Sequence, residues 1–97
     1  MKITKKYSKI LNTTIDVCSY ESAYADVVCG DVTQGEHWAT IYVINSKVEG
    51  KGHATTLCEH IKAHYEALGK TVGSSVALND RMRYILRKTG IKEYNVF

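Results

Sequence analysis

The chain has 97 residues, of which 44% are hydrophobic and 24% are charged, a composition typical of one small globular domain. No apolar run approaches the roughly 20 residues that a membrane-spanning helix needs, and the first residues lack the apolar stretch of a secretory signal. These features exclude collagen, coiled-coil and disordered classes. They predict a single domain over residues 1–97 that is cytoplasmic and has no membrane partner.

Charge is distributed unevenly along the chain. Residues 1–49 carry five Lys/Arg and six Asp/Glu, a net charge of −1, whereas residues 50–97 carry eight and four, a net charge of +4. The second half therefore favours an anionic ligand. The total net charge of +3 is too small to indicate a nucleic-acid binder.

The three cysteines, Cys18, Cys29 and Cys58, are unevenly spaced and form no Cys-x-x-Cys pair. An odd count without such pairs argues against a disulfide framework and against a zinc ribbon. We therefore expect reduced and mostly buried thiols.

The first half of the chain is rich in β-branched and aromatic residues, which predicts strands over residues 14–20, 24–29 and 38–45. The segment GDVTQG at 30–35 predicts the turn that joins the last two of these strands. Residues 2–11 fit either a strand or a short helix, and we favour an edge strand. A meander of antiparallel strands follows.

The second half shows helical periodicity, because apolar residues recur at spacings of three and four over residues 53–68, up to Gly69. The remaining predicted elements are a strand at residues 72–78, a helix at 80–88 and a short strand at 91–96. The helix is capped by Asn79 or Asp80 and ends at Gly90. Strands joined by a helix are parallel neighbours with a right-handed crossover. The predicted fold is therefore α/β (α+β), a mixed and mostly antiparallel sheet with two main helices.

The loop at residues 46–52, before the first predicted helix, has glycines at Gly50 and Gly52. Such glycines let several backbone N–H groups point at one spot, and the positive end of the following helix reinforces them. This arrangement suits a pyrophosphate, and an ordinary strand-to-helix turn is the alternative. The P-loop pattern is absent, and a dinucleotide-binding Gly-x-Gly-x-x-Gly would need glycine at Thr55.

Two motifs frame this loop. Ile41-Tyr42-Val43 leads to Glu49-Gly50-Lys51-Gly52-His53-Ala54, and Asn79 is followed eleven and twelve residues later by Gly90 and Ile91. Together they resemble the GNAT superfamily of acyl-CoA-dependent N-acetyltransferases, in which the loop amides bind the CoA pyrophosphate and the pantetheine arm lies between two splayed parallel strands. The resemblance covers residues 37–94 and implies acetyl-CoA as cosubstrate, without a metal. The CoA-binding residues that it implies are Ile41, Tyr42, Val43, Glu49, Gly50, Lys51, Gly52, His53, Ala54 and Asn79.

The catalytic positions depart from the pattern of the family. Glu49 stands where the family usually has Gln or Arg, and Leu86 stands where it often has the tyrosine that protonates the CoA thiolate. His37 falls where members often have a glutamate base, with Glu36 beside it as the alternative base. Histidine changes charge near neutral pH, so it can accept a proton from an incoming ammonium. Both residues also fit a solvated turn.

Other polar clusters have ordinary interpretations. His53, His60 and His64 lie on one helical stripe without nearby carboxylates, which favours a solvated helix edge over a metal site. The basic residues of the second predicted helix favour a solvated face, with CoA phosphates or an acidic partner as the alternative. They are Arg81, Arg83, Arg87 and Lys88.

The function that the resemblance implies is acetyl transfer from acetyl-CoA to an amine. A protein or peptide lysine is the favoured acceptor, because few residues precede His37 to form the two helices that wall the acceptor site in the family. The alternative is a catalytically inactive module of the same fold that senses CoA or binds a protein, and it is favoured by Glu49 and Leu86. A nucleic-acid adaptor is the least favoured reading. An open edge strand and a small core also predict a possible homodimer.

Overall fold

A computed structural model describes residues 1–22, 26–46, 52–75, 77 and 79–93. The elements in chain order are β1 (Lys2–Ser8), β2 (Thr13–Glu21), β3 (Val27–Gln34), β4 (Trp38–Ser46), α1 (His53–Ala67), β5 (Thr71–Ser74), α2 (Asp80–Thr89) and β6 (Lys92–Glu93). Within these residues, neither helix has the length and apolar character needed to span a bilayer.

All six strands form one sheet in the order β1-β2-β3-β4-β5-β6. The first four strands pair antiparallel, whereas β4 pairs parallel with β5 and β5 pairs parallel with β6. The prediction of a mixed, mostly antiparallel sheet with two main helices is confirmed. The predicted edge strand near the N-terminus is confirmed as β1.

Local sequence signals set the ends of both helices. Gly52 precedes α1 in a left-handed conformation with φ of 78°, which costs a glycine little. Asn79 caps α2, because its side-chain Oδ1 accepts a hydrogen bond of 2.8 Å from the amide of Met82. Gly90 ends α2 with φ of 73°. The predicted caps at Asn79 and Gly90 are therefore confirmed.

The core lies between the helices and one face of the sheet. Tyr65 of α1 is fully buried and reaches Cys18 of β2, with 3.7 Å between its hydroxyl and Sγ. Ile85 and Leu86 bring α2 into the same core. Of the three cysteines, Cys18 and Cys58 are buried and Cys29 is half-buried, which confirms the prediction that the thiols are mostly buried.

The other face of the sheet is not covered by any helix formed by the described residues before α1. The described residues before α1 form strands and turns but no helix. Strand alternation turns Cys18 towards Tyr65 and therefore turns Val17 away from it. Among the large hydrophobic residues of β4, Trp38, Tyr42 and Val43 are 45%, 38% and 43% exposed.

The predicted turn at 30–35 is wrong. Strand β3 continues to Gln34, and the chain turns over residues 35–37 instead. Gly30 is a buried strand residue that pairs with Cys18 and Ile44. A Cβ at this position would lie 2.6 Å from Ile44 Cδ1. The glycine therefore makes room for a neighbouring side chain and does not form a turn.

The ends of several other elements differ from the predicted ends by a few residues. Strand β5 is shorter than predicted, since it ends at Ser74. Leu68, which continues the apolar stripe in the sequence, lies beyond the last helical residue and is 58% exposed. Part of the predicted last strand, from residue 94 onward, lies outside the described residues.

Candidate functional site

A cleft opens where the two central parallel strands separate. Strands β4 and β5 pair from Trp38↔Thr71 to Ile41↔Ser74. Just beyond, the Ser75 amide donates to the Ile41 carbonyl at 2.9 Å and the Ser75 hydroxyl donates to the Tyr42 carbonyl at 3.3 Å. Strand β4 then continues to Ser46 without β5 beside it in the described part of the chain.

The resulting cleft has a volume of about 610 Å³, within the range of small-molecule and cofactor sites. Its walls are the second half of β4, the first turn of α1, the end of β5 and one face of α2. The lining residues from the two strands are Ile41, Tyr42, Val43, Ile44, Asn45, Ser46 and Ser74, and Ser75 and Ala77 follow β5. Those from the helices and their caps are Gly52, His53, Ala54, Thr55, Asn79, Arg81, Met82, Tyr84, Ile85 and Lys88.

A bulge in β4 shapes the mouth of the cleft. Ile41 pairs with Val32 and Val43 pairs with Asp31, so Tyr42 is an extra residue in the ladder. Such a bulge bends a strand and re-aims its side chains. It allows Ile41 to lie buried in the core while both Tyr42 and Val43 are exposed beside the cleft.

The first turn of α1 forms one end of the cleft. The first amides of a helix have no partner within the helix, and no side chain among the described residues caps α1. Together with the helix dipole they make this end attractive to an anion. His53 in this turn is fixed by Asp26, with 3.1 Å between Nε2 and Oδ2, and its side chain is 12% exposed.

The face of α2 that meets the cleft is basic and partly aromatic. Arg81, Tyr84 and Lys88 follow one another at spacings of three and four and all line the cleft. Tyr84 is 64% exposed, whereas Leu86, two residues later, is 1% exposed in the core. The two positions therefore lie on opposite sides of α2, as the helical period predicts.

The structure brings most of the predicted CoA-binding residues into this one cleft. The predicted residues that line it are Ile41, Tyr42, Val43, Gly52, His53, Ala54 and Asn79. Glu49, Gly50 and Lys51, the other three, lie outside the described residues.

The two predicted bases lie elsewhere. Glu36 and His37 are in the turn before β4, with side chains 87% and 83% exposed and 3.8 Å between Oε1 and Nε2. Neither lines the cleft. His37 and Tyr42 are five positions apart in sequence, which corresponds to a distance on the order of 16 Å along an extended strand. The His37 carbonyl instead accepts a 3.0 Å hydrogen bond from the Thr71 amide at the start of the parallel pairing.

Sequence reasoning missed several lining residues. Ser74, Ser75 and Ala77 line the cleft because β5 ends at Ser74. The apolar pattern of residues 72–78 does not reveal this end. Tyr84 could have been found, because the period that turns Leu86 inward turns Tyr84 outward.

Two histidines of α1 have tyrosine rings as neighbours. The ring of His60 contacts Tyr20 at a centroid distance of 5.4 Å, and the ring of His64 contacts Tyr65 at 4.9 Å. In the described part of the chain, no three His, Cys, Asp or Glu side chains are grouped so that they could hold a metal ion.

A separate cluster of polar side chains surrounds Asp16, away from the cleft. Asp16, 3% exposed, accepts hydrogen bonds from the Tyr65 hydroxyl at 2.5 Å and from Gln34 Nε2 at 2.8 Å, and it also pairs with Lys5. Burial raises the pKa of Asp16, but the bonds from Lys5 and Tyr65 outweigh it and leave the pKa lowered. For Tyr65, burial and its bond to Asp16 raise the pKa. This cluster is structural, since it joins β1, β2, β3 and α1 away from the cleft.

No protein-family model matches the chain, and no curated protein or solved structure shows significant similarity to it. The resemblance to the GNAT superfamily therefore rests on the sequence motifs.

Proposed function

We propose that the protein binds acetyl-CoA in the cleft between β4 and β5 and transfers the acetyl group to an amine. The observation that carries the proposal is the separation of two parallel strands at Ile41 and Ser74, which opens a cleft of about 610 Å³ with a helix N-terminus at its far end. An elongated molecule with one anionic end fits such a site.

The pantetheine arm suits the edge of β4. Beyond Tyr42 this edge has no strand beside it in the described residues, so the amides of the arm can pair with its backbone as an added strand does. Val43 and Ala77 give apolar contacts on the two sides of the cleft. The arm would then run from the start of α1 towards the junction of β4 and β5.

The diphosphate suits the first turn of α1. The first amides of a helix and the helix dipole favour an anion there. The direction of the arm follows from this, and it brings the thioester to Ile41 and Tyr42, where the strands meet.

Acetyl transfer makes a C–N bond and breaks the C–S bond of the thioester. The amine nitrogen attacks the carbonyl carbon and loses a proton to a base, and the departing thiolate takes up a proton. Holding both reactants side by side supplies much of the rate. Tyr42, whose side chain is 38% exposed at the junction, is the phenol best positioned along β4 to protonate the thiolate.

The favoured acceptor is a lysine of a protein or peptide in the cytosol. The described residues before α1 contain no helix, so nothing in this part of the chain encloses a small amine. The exposed side of β4 at Tyr42 leaves room for an extended peptide. Efficient acetylation of small polyamines without any peptide substrate would contradict this choice.

A second candidate is a module that binds CoA without transferring an acetyl group. The observation that favours it is the position of Glu36 and His37, which do not line the cleft. The side chain of Leu86 lies in the core and leaves no acid at that position.

Thermal unfolding with and without acetyl-CoA tests the binding step. Ligand at about 100 times its Kd stabilises a protein by about 2.7 kcal/mol, which is several degrees for a domain of this size. Val43→Trp fills the cleft and should abolish the shift. Val27→Trp is the matched control, because Val27 is 42% exposed on the neighbouring strand, against 43% for Val43, and does not line the cleft.

The release of free thiol on mixing acetyl-CoA with lysine peptides separates the two candidates. An enzyme gives release that depends on the peptide, whereas a binding module gives the thermal shift without release. If millimolar acetyl-CoA shifts neither the wild type nor Val27→Trp, the proposed binding is wrong.

A further inference from the structure

Tyr84 is a large aromatic side chain that the fold does not use. It is 64% exposed on α2, and in the described part of the chain it makes no hydrogen bond or aromatic ring contact. Helix α2 is held in the core by Leu86 from its other side. The ring of Tyr84 nevertheless lines the cleft, so it is available to a ligand.

The residues one turn away from Tyr84 are cationic. Arg81 precedes it by three positions and Lys88 follows it by four, and both line the same cleft. Lys88 has no ion-pair partner among the described residues. An exposed aromatic face between two cations suits a base that carries phosphate, because a base stacks on the ring while the cations attract the phosphate.

From this arrangement we propose that Tyr84 is the stacking platform for the adenine of the cofactor and that Lys88 attracts its ribose phosphate. The inference rests on the proposed binding of acetyl-CoA and adds a second point of recognition. The cleft then recognises the nucleotide end of the cofactor independently of the thioester end. A free adenine nucleotide that lacks pantetheine binds to the same wall.

Calorimetric titration with four ligands tests the platform, using CoA, dephospho-CoA, 4′-phosphopantetheine and adenosine 3′,5′-bisphosphate. Tyr84→Ala should weaken CoA binding about fivefold to 150-fold, since base stacking on an aromatic ring has that magnitude. Tyr84→Phe keeps the ring and should bind CoA within about twofold of the wild type. Phosphopantetheine has no base, so its affinity should not change in either variant.

Lys88→Gln tests the phosphate contact. It should weaken CoA more than dephospho-CoA, which lacks the ribose phosphate, and it should flatten the dependence of CoA affinity on salt. Tyr7→Ala is the matched control for Tyr84→Ala, because Tyr7 is 56% exposed on β1 and does not line the cleft.

The outcomes separate this inference from the proposed function. If CoA and phosphopantetheine both bind and Tyr84→Ala changes neither affinity, the platform is wrong and the proposed function stands. If adenosine bisphosphate alone binds in a Tyr84-dependent way, the platform is supported and thioester binding is wrong. If none of the four ligands binds to the folded wild type, both are wrong.

Discussion

Replacing Tyr65 with phenylalanine removes one hydroxyl from a fully buried position. That hydroxyl donates a 2.5 Å hydrogen bond to the carboxylate of Asp16, which is 3% exposed. The ring still fills the same space in the core, so the change tests the hydrogen bond and not the packing.

The expected loss follows from what remains around Asp16. Gln34 Nε2 at 2.8 Å and the ammonium of Lys5 still contact the carboxylate, so the charge is not left without partners. A hydrogen bond to a charged group contributes about 1.5 to 3 kcal/mol. We therefore expect Tyr65→Phe to lower the free energy of unfolding by about 2 kcal/mol at pH 7.

The effect of pH has a defined sign. The pKa of Asp16 is lower in the folded protein than its ordinary value, so on acidification the unfolded chain takes up a proton first. Stability from this group is complete above the unfolded pKa of about 3.9 and is lost as pH falls through the folded value. The difference between wild type and Tyr65→Phe should therefore shrink below about pH 4.

Urea unfolding at pH 7 and at pH 3 measures both effects. The midpoint should fall in the variant with the slope unchanged. Tyr84→Phe is the control, because its exposed hydroxyl has no described hydrogen bond and its loss should change stability by less than about 0.5 kcal/mol. A loss for Tyr65→Phe as small as that of the control, or one that grows in acid, would refute the role assigned to the hydroxyl.

Three further predictions concern single positions. Gly30→Ala should destabilise the protein by about 1 kcal/mol or less, seen as a slightly lower urea midpoint, because the new methyl displaces only Ile44 Cδ1, the end of a flexible side chain at 2.6 Å, and lies 3.3 Å from the Val43 carbonyl oxygen. Asn79→Ala should cost about 1 kcal/mol through loss of the α2 cap while Asn79→Ser costs less, and equal losses in the two variants would contradict the cap. Glu36→Gln and His37→Ala should each leave CoA affinity unchanged, because neither side chain lines the cleft. Unchanged thiol release in both variants would remove them as bases, since a general base contributes about 100-fold or more.

The elements that the sequence predicted well are those whose signals are local. Asn79 caps α2 and Gly90 ends it because each satisfies a backbone requirement that neighbouring residues cannot alter. The parallel pairing of β4 and β5 followed from the order strand, helix, strand. It was this topology that placed Val43 and Asn79, which are far apart in sequence, on one cleft.

The predictions that failed depend on partners distant in sequence. Gly30 next to Asp31 has the composition of a turn, and only the approach of Ile44 across the sheet explains the glycine. The end of β5 at Ser74, which opens the cleft, has no signal in the apolar run of residues 72–78. His37 lies outside the cleft because the strand between it and Val43 is extended. The number of residues between the two positions does not by itself show how far apart they are in space.

The distribution of acidic residues along the chain has a consequence for the proposed amine acceptor. Residues 10–46 contain five Asp/Glu and no Lys/Arg. Asp16 pairs with Lys5, and Asp26 with His53. Glu21, Asp31 and Glu36 also lie on the side of the sheet formed by β2, β3 and the turn before β4, and Glu21 and Glu36 are exposed. The basic face of α2 lies on the other side of the cleft, so the proposed anionic cofactor and the proposed cationic amine would be attracted from different sides.

This separation predicts how salt acts on the proposed transfer. Raising salt from about 50 mM to about 500 mM shortens the Debye length from over 10 Å to about 4 Å, so long-range attraction of the amine is lost. The KM for a lysine peptide should rise several-fold while kcat stays constant, because the chemistry occurs after binding. A peptide with acidic residues beside the lysine should show a higher KM and little dependence on salt. A KM that is equal for both peptides and constant with salt would mean that the acidic side of the sheet does not recruit the acceptor.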